Sequence, residues 1–306
     1  LSTVDSTVPI GSTGVDLNGS FNRILQSWIS NLHPQGPAIS ISNSDNAILN
    51  STVTSNGTAV EVFSANNLIS GSFLASSGSR GVDANAAANY TTITLSTITS
   101  GAGDYALYFA GGGNNRVANS YIQGPGAVHY AGSNGSILAN VLVATNTAGA
   151  DGSGVRVAVG TGDSLLIATN TIRGGRQGAG ILLDDGALNS WAALTIATNA
   201  ILSGAKYGIY FANQSASPQY LQIDIASNTI NPSVISGNQS YGIYLGMLWG
   251  DGGTVMVRDN SIYYRDSGSV SLTYGFYNYL TKNVTFTHNR INNPGMVTGG
   301  SFIGMY

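Results

Sequence analysis

Apolar and polar positions along the chain follow a repeated phrase of six residues: apolar, any, any, Asn, any, apolar. In the second half it occupies Ile167–Ile172, Ile196–Ile201, Ile225–Ile230, Val257–Ile262 and Phe286–Ile291. In the first half Ser mostly replaces Asn. The fourth position is held by Ser27, Ser51, Gly71, Ser96, Ser120, Asn140, Asn170, Asn199, Asn228, Asn260 and Asn289. A short unit that recurs along a chain predicts a solenoid of stacked coils.

The interval between these positions is about 23 residues before Asn140 and about 30 after it. A second phrase, a small residue followed by apolar-any-apolar, occurs once per interval, as in Ala59–Val62, Ala106–Phe109 and Gly208–Phe211. Alternation with a period of two predicts short strands that each bury one face. We therefore expect about eleven coils of three strands, with the extra residues of the second half in loops.

The segment from Phe21 to Leu32 fits two interpretations. Its apolar residues fall at helical spacing, which favours an amphipathic capping helix. However, Asn22-Arg23-Ile24 matches Asn115-Arg116-Val117 position for position. We expect the first coil here and keep the helix as the alternative. The predicted organisation is an N-terminal extended or cap segment over residues 1–20 and one solenoid domain over residues 21–306.

The composition excludes several classes of protein. Charged residues make up 8 %, the net charge is −3 with a pI near 5.4, and there is no Cys. Without a basic run, nothing supplies the phosphate-neutralising interactions of a nucleic-acid-binding protein. No apolar run reaches a membrane-spanning length, and neither disulfides nor a thiol zinc site can form. Richness in Ser, Thr, Asn and Gly indicates an extracellular or cell-surface protein, and the start at Leu1 indicates a removed leader or a fragment.

With its loose repeat of Ile, Asn and Gly, the chain resembles the right-handed parallel β-helix proteins of the pectate-lyase-like superfamily. The resemblance covers about residues 21–306. It implies an all-β fold: a right-handed, single-stranded parallel β-helix of about eleven coils with three short strands per coil. It implies little about function, because this architecture hosts lyases, hydrolases, phage tailspikes, autotransporter passengers and structural fibres.

The Ser and Asn positions are predicted to form a structural ladder. In a stack of coils equivalent residues lie above one another, so each Asn amide can donate to one neighbouring coil and accept from the other. Buried polar groups are tolerated where neighbours satisfy them. We therefore assign these residues to the interior rather than to a ligand.

One side of the solenoid is predicted to present a column of outward side chains. The middle residue of the second phrase alternates away from the core. In chain order this residue is Ser40, Glu61, Asp83, Tyr108, His129, Arg156, Leu182, Tyr210, Tyr244 and Tyr277, and the flanking loops carry Trp191 and Trp249. Two interpretations stay open: stacked Tyr side chains that pack on one another within the sheet or laterally, or an aromatic groove for a glycan.

The enzymatic alternative rests on Asp184-Asp185, which is similar to the paired-Asp element of polygalacturonase-type hydrolases. Arg173 and Arg176 precede this pair and would face it across a groove. The other motifs of that family, Asn-Thr-Asp, Gly-His-Gly and Arg-Ile-Lys, are absent. Asp-Asp-Gly is also a common turn sequence. A polysaccharide lyase or glycoside hydrolase is therefore the alternative function.

No metal site or cofactor is predicted. His33, His129 and His288 have no ligand spacing. A calcium ion enters only under the lyase interpretation, where Asp151, Asp163, Asp184 and Asp185 would converge with Arg156 and Arg173 as candidate bases. The chain carries only 14 acidic residues, without a calcium-loop pattern.

The carboxyl end gives the last expectation. Gly304-Met305-Tyr306 matches Gly208-Ile209-Tyr210 and so begins a twelfth strand of the second phrase. An open coil is an edge that recruits another strand, so either the chain continues in a longer protein or another subunit covers the edge. Contact between unlike ends of two subunits produces a filament. The expected function is an extracellular structural solenoid, a self-assembling filament subunit or an adhesin stalk. Its expected partners are copies of itself, head to tail; a polysaccharide is a partner only under the glycan interpretation of the outward column.

Overall fold

The computed structural model describes residues 2–6, 12–102, 105–146, 152–158, 162–184, 191–202, 205–212, 222–233, 239–246, 253–264, 272–292 and 301–306. In this part of the chain every paired strand is parallel to its neighbours, and the strands form three sheets of 12, 12 and 11 strands. Successive strands pass from sheet 1 to sheet 2 to sheet 3 and then begin the next coil. The expected fold, a β-helix with three strands per coil, is confirmed.

Strands are numbered in chain order. Sheet 1 contains β1 Ser2–Ser6, β4 Ser27–Asn31, β7 Thr52–Ser55, β10 Phe73–Ser76, β13 Thr97–Ser100, β16 Tyr121–Gly124, β19 Val141–Ala144, β22 Thr171–Arg173, β25 Ala200–Leu202, β28 Thr229–Ile230, β31 Ser261–Tyr263 and β34 Arg290–Asn292.

Sheet 2 contains β2 Val15–Leu17, β5 Ile39–Ile41, β8 Val60–Val62, β11 Val82–Ala84, β14 Tyr105–Phe109, β17 Gly126–Tyr130, β20 Val155–Val157, β23 Ala179–Leu183, β26 Tyr207–Phe211, β29 Gln239–Leu245, β32 Leu272–Asn278 and β35 Ser301–Met305. Sheet 3 contains β3 Arg23–Leu25, β6 Ala47–Leu49, β9 Leu68–Ser70, β12 Thr92–Thr94, β15 Gly113–Ala118, β18 Ser133–Leu138, β21 Gly162–Ala168, β24 Trp191–Ala197, β27 Gln222–Ala226, β30 Thr254–Arg258 and β33 Val284–Thr287.

The two ends of the chain take part in the sheets. β1 pairs with β4 and β2 pairs with β5, so the described part of residues 1–20 continues sheets 1 and 2. β35 pairs with β32 and is the twelfth strand of sheet 2. The match between Gly304-Met305-Tyr306 and the earlier strands therefore indicated a real strand.

The alternative of a capping helix over Phe21–Leu32 is wrong. Strands β3 and β4 occupy this segment, and Gln26 between them turns the chain with a φ of 48°. Of the apolar residues at helical spacing, Phe21 and Leu32 are exposed and Ile29 is buried. The spacing suited a helix by coincidence, because two adjacent strands with a one-residue corner also bring apolar residues back at short intervals.

A single residue with positive φ turns the chain from sheet 3 to sheet 1 in each coil. The residues at this corner are Gln26, Asn50, Gly71, Leu95, Asn119, Ala139, Thr169, Thr198, Ser227, Asp259 and His288. For a residue other than Gly this conformation costs about 1–2 kcal/mol. The ladder residue follows directly, so its hydrogen bonds hold the corner in place.

The ladder runs through successive coils. The backbone N–H of Ser51 donates to the Ser72 hydroxyl at 3.1 Å, and that of Ser120 donates to Asn140 Oδ1 at 2.9 Å. From Asn140 onward each Asn also donates from Nδ2 to the next Asn Oδ1, with 3.0 Å for Asn140 to Asn170. All of these Asn residues except the last, Asn289, are almost completely buried.

In one coil the predicted six-residue phrase is out of register by one residue. Ser72 occupies the ladder, and Gly71 occupies the corner with a φ of 62°. The phrase in this coil runs from Ile69 to Leu74, which are both buried, whereas Phe73 is 42 % exposed. A shift of one residue moves side chains to the opposite face of a strand, and the sequence offered apolar residues in both registers.

Candidate functional site

The outer face of sheet 2 carries the predicted column of side chains. Strand pairing aligns each predicted residue with the next, from Ser40 and Glu61 to Tyr244 and Tyr277, and places Asp16 before them. The column has a charged half in the amino-terminal coils and an aromatic half in the carboxyl-terminal coils, separated by the buried Leu182.

The aromatic half contains a second column of Tyr that the sequence reasoning missed. Together the two columns form a cluster of seven rings, which we call the Tyr cluster. Its members are Tyr207, Tyr210, Tyr241, Tyr244, Tyr274, Tyr277 and Tyr306. The missed signal was the repeated Tyr-Gly-apolar-Tyr at Tyr207–Tyr210, Tyr241–Tyr244 and Tyr274–Tyr277.

Gly makes both columns possible. In a regular strand residues three apart point to opposite faces, so Tyr207 and Tyr210 would not meet. Their rings nevertheless stack at 4.3 Å. A Cβ at Gly208 would lie 2.3 Å from Ile230 Cγ2 of sheet 1, so this position points into the core, as Ile209 does. Two consecutive inward positions leave both Tyr side chains outside.

The rings of the Tyr cluster contact one another within and between the two columns. Tyr207 and Tyr241, and then Tyr241 and Tyr274, are stacked with centroids 5.0 Å apart. In the other column Tyr244 and Tyr277 are 4.9 Å apart with an interplanar angle of 12°. Such pairs contribute about 0.5–1.5 kcal/mol each beyond area burial. The planes of the two columns are nearly perpendicular, with interplanar angles of 87° for Tyr241 and Tyr244 and 79° for Tyr274 and Tyr277, so each ring packs against rings of both columns.

Close packing raises the pKa of these phenols. Burial, and then the neighbouring Tyr residues, raise the pKa of Tyr244 from 10.0 to about 12. The same two causes raise the pKa of Tyr241 and Tyr277, and burial raises that of Tyr207. The neutral phenol is therefore the form that the folded state favours.

Alkaline titration should unfold the protein through this cluster. Because the folded pKa lies above the unfolded one, the contribution of Tyr244 to stability is full below pH 10.0 and is lost as the pH rises to about 12. We expect Tyr244→Phe to move the midpoint of alkaline unfolding upward, as followed by tyrosinate absorbance and circular dichroism. Tyr90→Phe, outside the cluster, is the control. Equal midpoints for both variants would contradict the prediction.

The charged half of the column consists largely of paired groups. Arg80 binds Asp83 at 2.8 Å and lies 3.5 Å above the ring of Tyr108. The Tyr108 ring stacks on His129 at 4.3 Å. Further along, Arg156 Nε binds Asp184 Oδ2 at 2.6 Å. Cation–π contact and ion pairing thus hold these side chains against the sheet.

Glu61 has a distinct environment in this half. Burial first, and then the charge of Asp83 in the adjacent coil, raise its pKa. A carboxyl group with a raised pKa beside a second carboxylate is a feature of acid–base sites. The sequence signal was Glu61 itself, the only Glu in the chain, but its burial required the structure.

The three described residues of the enzymatic alternative are not brought together. Arg173 ends β22 in sheet 1 and Arg176 lies in the following turn, whereas Asp184 directly follows β23 in sheet 2. The five residues of β23 separate the two sides, a span of roughly 16 Å. Asp184 instead contacts Arg156. Asp185 lies outside the described residues.

Several other predicted residues fall outside the description. Trp191 begins β24 in sheet 3, but its side chain is not described, and Trp249 lies outside the described residues. Asp151 also lies outside the described residues, and for Asp163 only the backbone is described. In the part of the chain that the structure covers, no three His or acidic side chains are grouped so that they could hold a metal ion. Likewise, no helix there is long and apolar enough to cross a membrane.

Comparison with known proteins assigns the class. Residues 76–230, about half of the chain, match the family model described as the right handed beta helix region, and the chain belongs to this family. A search of curated proteins found no match. One similar solved structure is the crystal structure of the Dettilon tailspike protein (gp208), with 17 % identity and a TM-score of 0.45. The match covers 90 % of this chain and 54 % of that one, so this chain spans about half the length of that protein.

Proposed function

We propose that this chain is a structural β-solenoid that works outside the cell or on its surface, as a subunit of a head-to-tail filament or as the stalk of an adhesin. The observation that carries the proposal is that the side chains on the outer face of sheet 2 contact one another. Its Tyr rings stack on one another and Arg80 and Arg156 are ion-paired with Asp83 and Asp184. Such a face stabilises a rod and suits lateral packing better than turnover of a substrate.

The low charge and the absence of Cys support an extracellular or cell-surface location. Charged residues are 8 % of the chain, and the fold is held by stacked backbone and Asn hydrogen bonds that need neither disulfides nor metals. A stack of this kind tolerates variable surroundings, because each coil is stabilised by its two neighbours.

Head-to-tail association would use the incompletely covered core positions of the first and last coils. Val4 and Ile291 point into the core but are only partly buried, whereas Val53 and Ile262 in the same columns are 0 % exposed. Apolar surface at both ends is buried when a second copy stacks on it, at about 25 cal/mol per Å². Parallel edges of sheets 1 and 2 would then continue across the junction.

Electron microscopy over a concentration series, with light scattering beside it, tests this proposal. We expect long uniform fibres whose length grows with concentration. Val4→Asp and Ile291→Asp each place a charge in one end and should leave single rods, whereas Met256→Asp, on an exposed position of β30 within the rod, should not. Circular dichroism checks that the variants are folded. Monomers of the unaltered chain at every concentration would refute the filament.

A second candidate function, cleavage of a polysaccharide, has one observation in its favour. Glu61 and Asp83 lie in adjacent coils, and burial and the charge of Asp83 raise the pKa of Glu61. Retaining glycosidases use two carboxyl groups close together, one as general acid and one as nucleophile, and the carboxyl group with the raised pKa would be the acid. Release of reducing ends by the unaltered chain, lost in Glu61→Gln and kept in Asp184→Asn, would support catalysis at this pair.

A further inference from the structure

The outer face of sheet 1 carries a second aromatic pattern, distinct from the Tyr cluster. In the first six coils one outward position alternates between Thr and an aromatic residue. Strand pairing gives the order Thr3, Trp28, Thr52, Phe73, Thr97 and Tyr121. We call Trp28, Phe73 and Tyr121 the aromatic stripe. The alternation ends at Val141 in the next coil.

The spacing of the aromatic stripe keeps its rings from packing on one another. Successive members are two strands apart, about 9.6 Å at the usual inter-strand distance. In the Tyr cluster, by contrast, rings one strand apart have centroids about 5 Å apart and contact one another. Among the described residues no ring contact involves Trp28, Phe73 or Tyr121, and their exposed fractions are 54 %, 42 % and 37 %.

The surroundings of the stripe are polar but uncharged. Strands β4, β7, β10, β13 and β16 contain no charged residue. The Thr hydroxyls lie between the rings, and beside Trp28 there is an open groove of about 400 Å³ lined by Gln26, Ser27, Asn50 and Thr52. Hydroxyl and amide groups of this kind exchange hydrogen bonds with sugar hydroxyls. An ionic polymer would find no counter-charge here.

A β-1,4-linked polysaccharide in its extended form has the matching repeat. Alternate sugars present the same pyranose face, and two sugar units span a length close to two inter-strand spacings. The C–H groups of that face pack against the negative face of an aromatic ring. Intervening sugars would then lie over Thr52 and Thr97. An α-1,4-linked glucan coils and lacks this repeat.

We propose that the aromatic stripe binds an extended, uncharged β-1,4-linked polysaccharide along the axis of the rod. The proposal concerns sheet 1 and does not depend on filament formation or on the Tyr cluster. It gives the rod a surface that attaches it to fibres of cellulose or chitin type.

Sedimentation binding assays with microcrystalline cellulose and with chitin powder test the proposal. The unaltered chain should bind at least one of these solids and should not bind starch granules. Phe73→Ala, which removes the central ring, should weaken binding at least about tenfold, as expected for an aromatic anchor. Tyr90→Ala, which removes an exposed ring outside the stripe, should leave it unchanged. Thermal unfolding confirms that both variants are folded.

An exchange variant tests the spacing itself. Phe73→Thr combined with Thr97→Phe keeps the composition and the number of rings but breaks the two-coil interval, and it should bind as weakly as Phe73→Ala. Unchanged binding of the exchange variant, equal binding to starch, or no binding of the unaltered chain would each overturn the proposal. Loss of self-association in the stripe variants, measured by sedimentation velocity, would instead assign the stripe to a second copy and overturn it as well.

Discussion

Replacing Asn199 with Ala should lower the free energy of unfolding by about 3–5 kcal/mol, because several buried polar groups lose their partners at once. Asn199 Oδ1 accepts hydrogen bonds from the backbone N–H and from Nδ2 of Asn170, both at 3.0 Å. Its Nδ2 donates to the Ile167 carbonyl at 2.9 Å and to Asn228 Oδ1 at 3.0 Å. The site is almost completely buried, so water cannot replace these bonds without opening the coil.

The amino-terminal coils supply a matched control for this variant. They carry Ser on the ladder, whose hydroxyl accepts the N–H of the preceding coil, as Ser96 does for Ser72 at 3.2 Å. Asn199→Ser should therefore destabilise by roughly half as much as Asn199→Ala. Urea unfolding measures the stability, and hydrogen exchange at the Asn170 amide should accelerate more in the Ala variant. Losses below about 1 kcal/mol in both variants would contradict an energetic role of the ladder.

Gly208→Ala should destabilise by about 2–4 kcal/mol, because the added Cβ has no room. It would lie 2.3 Å from Ile230 Cγ2 and 2.5 Å from the Gly242 carbonyl oxygen. One of these short contacts is with a packed core side chain and the other is with backbone. Neither can be relieved unless sheets 1 and 2 separate locally. The displacement would also disturb the Tyr207–Tyr210 stack at 4.3 Å.

Gly304→Ala is the control in the same column, because a Cβ there meets nothing within 4 Å. Its effect should stay within about 0.5 kcal/mol. Four amino-terminal coils carry Ala at the equivalent position, namely Ala38, Ala59, Ala106 and Ala127. The backbone at this position therefore accepts a Cβ in principle, and comparing the two variants tests how closely the carboxyl-terminal coils are packed. Similar thermal midpoints for Gly208→Ala and Gly304→Ala would show that the close approach is relieved without loss of stability.

Much of the fold could be predicted because a solenoid repeats its constraints. Each coil places Ile, Val or Leu at the same inward positions, so the phrases of several coils together define a register that one coil leaves ambiguous. The coil of Ile69–Leu74 is the exception that shows the limit. Its run of Leu68, Ile69, Phe73 and Leu74 satisfies two registers one residue apart, and only the contacts of Ser72 with the coils on both sides select one.

The candidate site was predictable in part. The outward column followed from alternation, but the second Tyr column did not, because residues three apart belong to opposite faces of a regular strand. Ion pairs between coils could not be predicted from the sequence either. Arg156 and Asp184 are 28 residues apart, and their contact arises only because coils stack. The two-coil interval of Trp28, Phe73 and Tyr121 became visible when strand pairing placed them in one column.

The sequence by itself determined the class of fold, the three strands of each coil and most of the side chains that face inward, since these follow from local alternation and from the period of the repeat. Only the tertiary structure decided which outward residues meet. Tyr rings one coil apart pack on one another, the aromatic rings of the stripe two coils apart do not touch, and a carboxylate is paired or buried according to its neighbour in the adjacent coil. Those relations depend on inter-coil distance and on loops of unequal length, quantities that no local pattern of residues contains.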